Sequence, residues 1–415
     1  MGEWKKYSLG EITELVIDYR GKTPKKLGGD WSEKGYRALS AKNIKTGQIV
    51  QPDTIRFVDE DMYKKWMKEE IRRGDIIITS EAPFGQIYYW NSDEKIVLSQ
   101  RLFGVRIKKE FDPQFVYYYM TTPAFQGEMD GRATGTTVVG LRQPELMKCE
   151  LMCPDIKTQK GIASLLSSID QKINTNAVIN DNLQQQLSAI FREWFIDTPE
   201  SAEWPRGTFA DLIDHTISGD WGKDAPTGNY TEMVYCIRGA DIPEVKAGNK
   251  GKMPTRFILP KNYASKKLVD GDIVVEISGG SPTQSTGRAA PVSESLLGRY
   301  DRGMVCTNFC KAIKPKQGYS MFVYHYWQHL YDAGVFFGYE NGTTGIKNLD
   351  ISGFIETEEI VIPPVEIVRR FDAVCQSIAN MVYANGLENE RLENVRDVLL
   401  PKLMSGEIDF ASVEI

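Results

Sequence analysis

Two stretches of this chain carry apolar residues that step alternately by four and by three. The first runs Ile162, Leu166, Ile169, Ile173, then Asn176 and Asn180, then Leu183, Leu187, Ile190 and Trp194. The second runs Phe371, Cys375, Ile378, Val382, then Asn385 and Asn389, then Leu392, Arg396, Leu399 and Leu403. This spacing places all of them on one face of an α-helix, and a seam held over several heptads predicts a coiled coil. Asparagine falls at the same seam positions in both stretches, where it lowers stability but fixes register. Helices of about 40 residues are on the order of 60 Å long at 1.5 Å per residue. Two matching helices in one chain are expected to pack together, antiparallel if the halves are related by a pseudo-two-fold. A plain dimerisation element is the other reading of the seam alone.

Elsewhere the pattern is shorter and reads as strands. Gly74-Asp75 precedes Ile76-Ile77-Ile78, and Gly271-Asp272 precedes Ile273-Val274-Val275, each a turn entering a β-branched run. Ile96-Val97-Leu98 and Met304-Val305-Cys306 read as further strands. The tyrosine-rich segments after Asp112-Pro113 and Tyr319-Ser320 read as short capped helices. Asp197-Thr198-Pro199-Glu200-Ser201 through Trp204-Pro205 has linker composition.

These features come in pairs. Gly21-Lys22-Thr23-Pro24 answers to Gly222-Lys223-Asp224-Ala225-Pro226, and Tyr36-Arg37-Ala38 to Tyr235-Cys236-Ile237. Phe115-Val116-Tyr117-Tyr118-Tyr119 answers to Phe322-Val323-Tyr324-His325-Tyr326, Gly135-Thr136-Thr137 to Gly342-Thr343-Thr344, and Pro154 to Pro363. The order is kept while the offset drifts only between about 197 and 209 residues, so the chain is a tandem duplication. The repeat changes the reading of the helices: each follows a full domain, which suits a spacer between two similar modules.

Composition bounds the class without choosing a function. At 415 residues two or more domains are expected, and 41% hydrophobic with 26% charged residues is ordinary for a soluble globular protein. The chain has neither an apolar run long enough for a membrane span nor a signal peptide, and six cysteines are too few for a disulfide scaffold; a reducing cytoplasm is expected. The net charge of −6 argues mildly against nucleic acid, but phosphates respond to local patches such as Lys22, Lys25, Lys26 or Lys64, Lys65, Lys68, Arg72, Arg73.

Four patterns could carry chemistry, and each has a plainer explanation. Cys306, Cys310, His325 and His329 approach zinc-finger spacing, but the first half has Leu98, Leu102 and Tyr118 at the corresponding places, so core packing is expected and metal is not. Asp112-Pro113-Gln114-Phe115 approaches the tetrapeptide that seats the amine in amino-methyltransferases, but lacks its second proline and reads better as a helix start. Pro52-Asp53 with Asp93-Glu94-Lys95 satisfies a loose nuclease pattern, while Asn91-Ser92-Asp93-Glu94 has the composition of an exposed hairpin turn. Gly279-Gly280-Ser281 through Gly287-Arg288 lacks the lysine of a phosphate loop and is expected to be a flexible loop. No catalytic residues are expected.

The whole layout resembles the specificity (S) subunit of a type I restriction–modification enzyme. The resemblance is carried by Trp4 to Leu9-Gly10, Gly21-Lys22-Thr23-Pro24, Gly74-Asp75-Ile76-Ile77, Gly135-Thr136-Thr137 with Leu141-Arg142, and Pro154 with Gln159, Lys160 and Ile162. The ending Leu400-Pro401-Lys402-Leu403-Met404-Ser405-Gly406-Glu407-Ile408 completes it. The second half departs where Gly345-Ile346-Lys347 replaces Val138-Val139-Gly140. The resemblance implies an α+β chain of two tandem mixed target-recognition domains, 1–153 and 207–362, separated by two long antiparallel helices, 154–196 and 363–404, that form a coiled coil, with a linker at 197–206 and a tail at 405–415. It implies that the chain reads a bipartite double-stranded DNA target, docks two methyltransferase subunits and motor-nuclease restriction subunits, and leaves S-adenosylmethionine, Mg and ATP to those partners. A fused or stand-alone DNA adenine methyltransferase or nuclease, an adaptor that never touches DNA, and the recognition subunit of a related non-type-I system are the alternatives.

Base-reading residues are expected on loops at one edge of each domain, because phosphate contacts only position while base edges specify. In the first domain they are Arg20, Lys22, Thr23, Lys42, Asn43, Ser80, Glu81, Gln100, Arg101, Thr136 and Thr137. In the second they are Trp221, Lys223, Arg238, Asp241, Ser278, Thr307, Asn308, Thr343 and Thr344. Ser99-Gln100-Arg101 stands opposite Thr307-Asn308-Phe309 across the repeat, and unlike residues there favour an asymmetric site.

Overall fold

Gly74 turns with φ +94° and Asp75 follows it into the interior, where its carboxylate accepts from Nε and Nη2 of Arg106 at 2.9 and 2.8 Å. The chain then enters strand Ile76–Thr79, buried on both sides. A strand's side chains alternate: Ile76 and Ile78 enter one hydrophobic cluster with Phe103, Val105 and Phe115, while Ile77 enters another with Leu39, Trp66 and Leu98. One strand therefore holds two cores apart. The computed structural model describes residues 4–135, 138–281, 283–342 and 346–410. They form two compact units, one of Met1–Asp170 with Asn394–Ile415 and one of Gln171–Glu393.

The first unit has an antiparallel four-stranded sheet in the order Thr13–Asp18, Leu102–Ile107, Ile76–Thr79, Ile87–Tyr89. A second sheet places Tyr36–Leu39 between Arg56–Val58, antiparallel, and Val97–Leu98, parallel. Lys5–Ser8 pairs with Glu150–Cys153 and closes the domain on itself. Helix Pro113–Met120, capped by Asp112 Oδ1 accepting from Phe115 N at 2.8 Å, covers the first sheet. Between the sheets the packing is close: a Cβ on Gly104 would stand 2.7 Å from Ile71 Cδ1, so that side chain would have to shift.

The second unit repeats the topology of these three sheets. Its four-stranded order is Ile213–Ser218, Cys310–Pro315, Ile273–Glu276, Ala289–Pro291. Glu232–Ile237 lies between antiparallel Thr255–Ile258 and parallel Met304–Cys306, and Arg206–Thr208 pairs with Glu359–Val361. Asp272 again anchors the turn, now to Lys314. The duplication read from the sequence is a duplication of fold.

The units differ locally, and three expectations need correction. Asn91–Glu94 is exposed but is no hairpin turn, because Ile87–Tyr89 and Val97–Leu98 belong to different sheets. The glycine-rich segment begins as strand Ser278–Gly279, paired with Lys347 and Asn348, so its start is not a loose loop. Helix Ser320–Asp332 has no side-chain cap; Ser320 Oγ donates instead to Gly271 O at 2.6 Å.

The long helices are Ile156–Phe191 and Val365–Met404. Asp155 starts the first by accepting from Lys157 N and Thr158 N, both at 3.0 Å. After Phe191 it widens into a π-helical turn, Arg192–Ile196. In the first unit Ile162, Leu166, Leu399 and Leu403 join the core beneath helix Pro113–Met120, and Ile169 is buried. Asp170 there accepts from Arg396 Nη1 at 2.9 Å and from Tyr118 Oη at 2.7 Å. In the second unit Leu187, Phe371, Cys375, Ile378 and Val382 are core residues, Leu183, Ile190 and Trp194 pack against them, and Ile173 and Leu392 are half-buried. Asn176 Nδ2 donates to Asn389 Oδ1 at 2.9 Å, and Asn385 Nδ2 to Asn180 Oδ1 at 2.8 Å. One index rises as the other falls, so the seam is antiparallel. Among the described residues no helix is long and apolar enough to cross a membrane.

Candidate nucleic-acid interface

In the first unit Ser99-Gln100-Arg101 is the short turn between Val97–Leu98 and Leu102–Ile107. Arg101 adopts φ +64°, and its carbonyl accepts from Ser80 N at 2.9 Å. Ser80 O accepts in turn from Leu141 N at 3.0 Å, and Glu81 bridges Gly140. Backbone bonds therefore gather Ser80, Glu81, Gln100 and Arg101 beside the loop that leads to Thr136 and Thr137, which themselves lie outside the described residues. Arg101 Nε stands 2.9 Å from Glu81 Oε1 with both side chains partly exposed. Gln100 is exposed and its carbonyl takes Ala41 N at 3.1 Å, which brings exposed Lys42 alongside. The Arg20 guanidinium lies 4.0 Å over Phe103, two residues beyond Arg101, and is forked to Asp18.

Four expected readers of this unit are structural instead. Asn43 is wholly buried: its Oδ1 accepts from Ser40 N and Oγ, and its Nδ2 donates to Thr54 Oγ1 at 2.9 Å. Ser80 is buried. Thr23 Oγ1 accepts from Lys26 N at 3.2 Å and so caps its own turn. Lys22 Nζ donates to Trp66 O at 3.1 Å beside the Tyr19 ring, and burial pulls its pKa down.

The second unit builds the same frame. Ile277 N donates to Phe309 O at 2.9 Å and Leu349 N to Ile277 O at 2.8 Å. Ile277, Phe309 and Leu349 thus occupy the places of Ser80, Arg101 and Leu141, with Ser278 and Asn308 at those of Glu81 and Gln100. Ser278 Oγ donates to Asn348 Oδ1. Asn308 is exposed, whereas Thr307 is buried and its Oγ1 accepts from Phe309 N at 3.2 Å. Asp241 is buried and forked to Arg238, whose amide it also accepts, so this pair braces its loop as Asn43 braces the other. Trp221 is partly exposed with Arg256 stacked 4.1 Å from its ring, and Lys223 is exposed near Tyr230. Thr343 and Thr344 lie outside the described residues. Thr307 and Asp241 are therefore buried braces of their loops, while the Arg238 side chain is partly exposed beside Asp241.

Sequence reasoning left Phe309 and Ile346, both exposed beside this frame, out of the candidate list. Phe309 was visible opposite Arg101, but a list built from hydrogen-bonding side chains passes over it. Buried Arg256, which donates to Trp221 O, braces its loop.

The patterns set aside as chemistry fall into structural roles. Asp93 pairs with Arg73, Glu94 with Arg37 and Lys95 with Glu70 on the surface. Cys306 and Cys310 are buried in one hydrophobic cluster while His325 packs on Phe191 and Phe371 in another. Burial pushes the His325 pKa down to about 3, and pushes the Cys310 thiol up to about 12. Among the described residues no group of three or more His, Cys, Asp and Glu could hold a metal ion.

Residues 1–185 match the family described as the type I restriction modification DNA specificity domain. The type I restriction enzyme MjaIX specificity subunit of Methanocaldococcus jannaschii is 25% identical over 371 residues, covering 85% of this chain and 82% of its own. The type I restriction enzyme HindI specificity subunit of Haemophilus influenzae is 21% identical over 493 aligned positions, covering 98% of this chain and 100% of its own. Its first 185 residues thus carry the type I specificity domain, and over most of its length the chain is similar to type I specificity subunits. The crystal structure of a type I restriction–modification S subunit from M. genitalium has the same fold, with a TM-score of 0.56 at 15% identity, over 97% of this chain and 96% of that one.

Proposed function

We propose that this chain is a type I specificity subunit that reads a bipartite double-stranded DNA target, one part through each unit, and docks the methyltransferase and restriction subunits that act on it. The observation that carries the reading is one backbone frame built twice with unlike tips, Gln100-Arg101 in one unit and Asn308-Phe309 in the other. Identical frames support the same task; unlike tips support two different half-sites. Arginine pairs with guanine and asparagine or glutamine with adenine through the major groove.

Docking is supported by apolar side chains left exposed on the long helices: Val178, Ile179 and Met381 in the second unit, Val395 and Val398 in the first. Exposed apolar groups that join into a contiguous patch mark partner surfaces, and Val178 with Ile179 and Val395 with Val398 lie close enough in sequence to contribute to one. S-adenosylmethionine, Mg and ATP belong to those partners, and the chain works in the cytoplasm with them, which its six free, buried cysteines favour.

Sequencing the methylated bases of the source cell tests this. The expected result is a two-part adenine-methylated motif with a fixed gap, lost when the gene for this chain is deleted. Methyl transfer from labelled S-adenosylmethionine by the purified chain alone would overturn it in favour of a methyltransferase.

A further inference from the structure

Phe309 is the second unit's counterpart of Arg101, and its main chain and side chain have separate employment. Its carbonyl accepts from Ile277 N and Ser278 N, and its amide donates to Thr307 Oγ1. The main chain is thereby fixed, while the residue is 57% exposed. Nothing about the turn requires a phenyl ring. Its polar neighbours are already satisfied: Ser278 by Asn348, Thr307 by Phe309 itself. The strand that pairs with Ser278–Gly279 is preceded by Ile346, 63% exposed, and Lys347 on that strand lies beside the ring of Phe337, itself 44% exposed. At the corresponding stretch the first unit exposes Val138 and Val139. Both units expose hydrocarbon there, and at the tip itself the second presents a phenyl ring where the first presents a guanidinium.

We infer that Phe309 is a specificity-determining residue of the second unit, packing its ring against the 5-methyl group of a thymine in the major groove. The inference rests on the DNA reading proposed above and names the base feature recognised. A phenyl ring neither donates nor accepts, so it cannot distinguish bases by hydrogen bonds, and the methyl of thymine is the one apolar group on the major-groove edges. A wedge between stacked bases is the other way an apolar side chain acts on DNA, and its loss would weaken every sequence alike. Asn308 next to it supplies the hydrogen-bonding partner for an adjacent pair.

The test uses the full chain assembled with its modification subunits and a duplex library randomised in both half-sites. Wild type is expected to select a thymine at one position of one half-site, and Phe309→Ala to flatten that position alone. Replacing that thymine by uracil should weaken wild-type binding about fourfold, the worth of one buried methyl group, and leave Phe309→Ala binding unchanged. Phe309→Leu should keep part of the preference. The inference is overturned if Phe309→Ala selects the wild-type sequence, or if wild type binds uracil and thymine equally. It is also overturned if Phe309→Ala weakens every sequence alike, as loss of a wedge would. Circular dichroism melts of the variant chains check that they fold, and the exposed site predicts unchanged midpoints. Failure of wild type to select any sequence would instead remove the DNA reading beneath it.

Discussion

At Lys22 the ammonium has exchanged water for the Trp66 carbonyl and the Tyr19 ring. A cation so placed supports the fold, and Lys22→Met is expected to cost about 0.5–1.5 kcal/mol in urea melts, the net worth of a typical hydrogen bond at a half-buried site. The same substitution should leave the salt dependence of DNA binding unchanged, whereas Lys42→Ala, at an exposed position, should lower the slope by about one. Arg101→Ala should relax a single base in one half-site by about 1–3 kcal/mol, measured by anisotropy on single-base variants of the target. His325 behaves differently again. The unfolded chain protonates this imidazole as pH falls through about 6.5, while the folded chain, whose buried ring has its pKa near 3 and Lys246 close by, stays neutral. Stability contributed at neutral pH is thus lost on acidification, by roughly 2 kcal/mol at pH 5. Thermal melts from pH 7 to 5 should fall less steeply for His325→Phe than for wild type. What the sequence could not show at this scale is burial: asparagine and aspartate suit both a base edge and the inside of a tight loop, and Asn43 and Asp241 turned out to be inside.

Among the elements, those driven by local pattern were legible. The heptad seam and the Gly-Asp turns before β-branched runs are settled by neighbours in the chain, and the structure has both. The segment Asn91–Glu94 was misread because its composition says that the chain is exposed but not which strand comes next, and Val97–Leu98 pairs with a strand about sixty residues earlier. The seam itself yields a test. Asn176 donates to both Asn389 and Glu388, and Asn389 donates to Ile173 O. Asn176→Leu or Asn389→Leu alone strands a buried amide and should cost about 1–3 kcal/mol in denaturant melts. The double variant should cost less than the two added together, since two leucines satisfy each other. Full additivity would show that the pair is not coupled.

Over the whole molecule the duplication was readable because order and spacing survive where individual residues do not. Its consequence for how the chain is divided was not, because it depends on contacts between sequence-distant ends. The first unit takes Leu403 and Met404 into its core, seats Phe410 on Gly161 and sets Gly406 against Trp4. Truncation after Glu393 should therefore loosen residues 4–170 and spare 171–393, an outcome that hydrogen exchange followed by mass spectrometry would resolve peptide by peptide.

That division also sets a timetable for synthesis. When a ribosome has made the first 170 residues, the segment that completes their core is still more than two hundred codons away. The second unit, continuous from Gln171 to Glu393, has all its parts sooner after its own start. The half translated first is the half finished last, and until then its unfilled core depends on slow emergence or on a chaperone to stay out of aggregates.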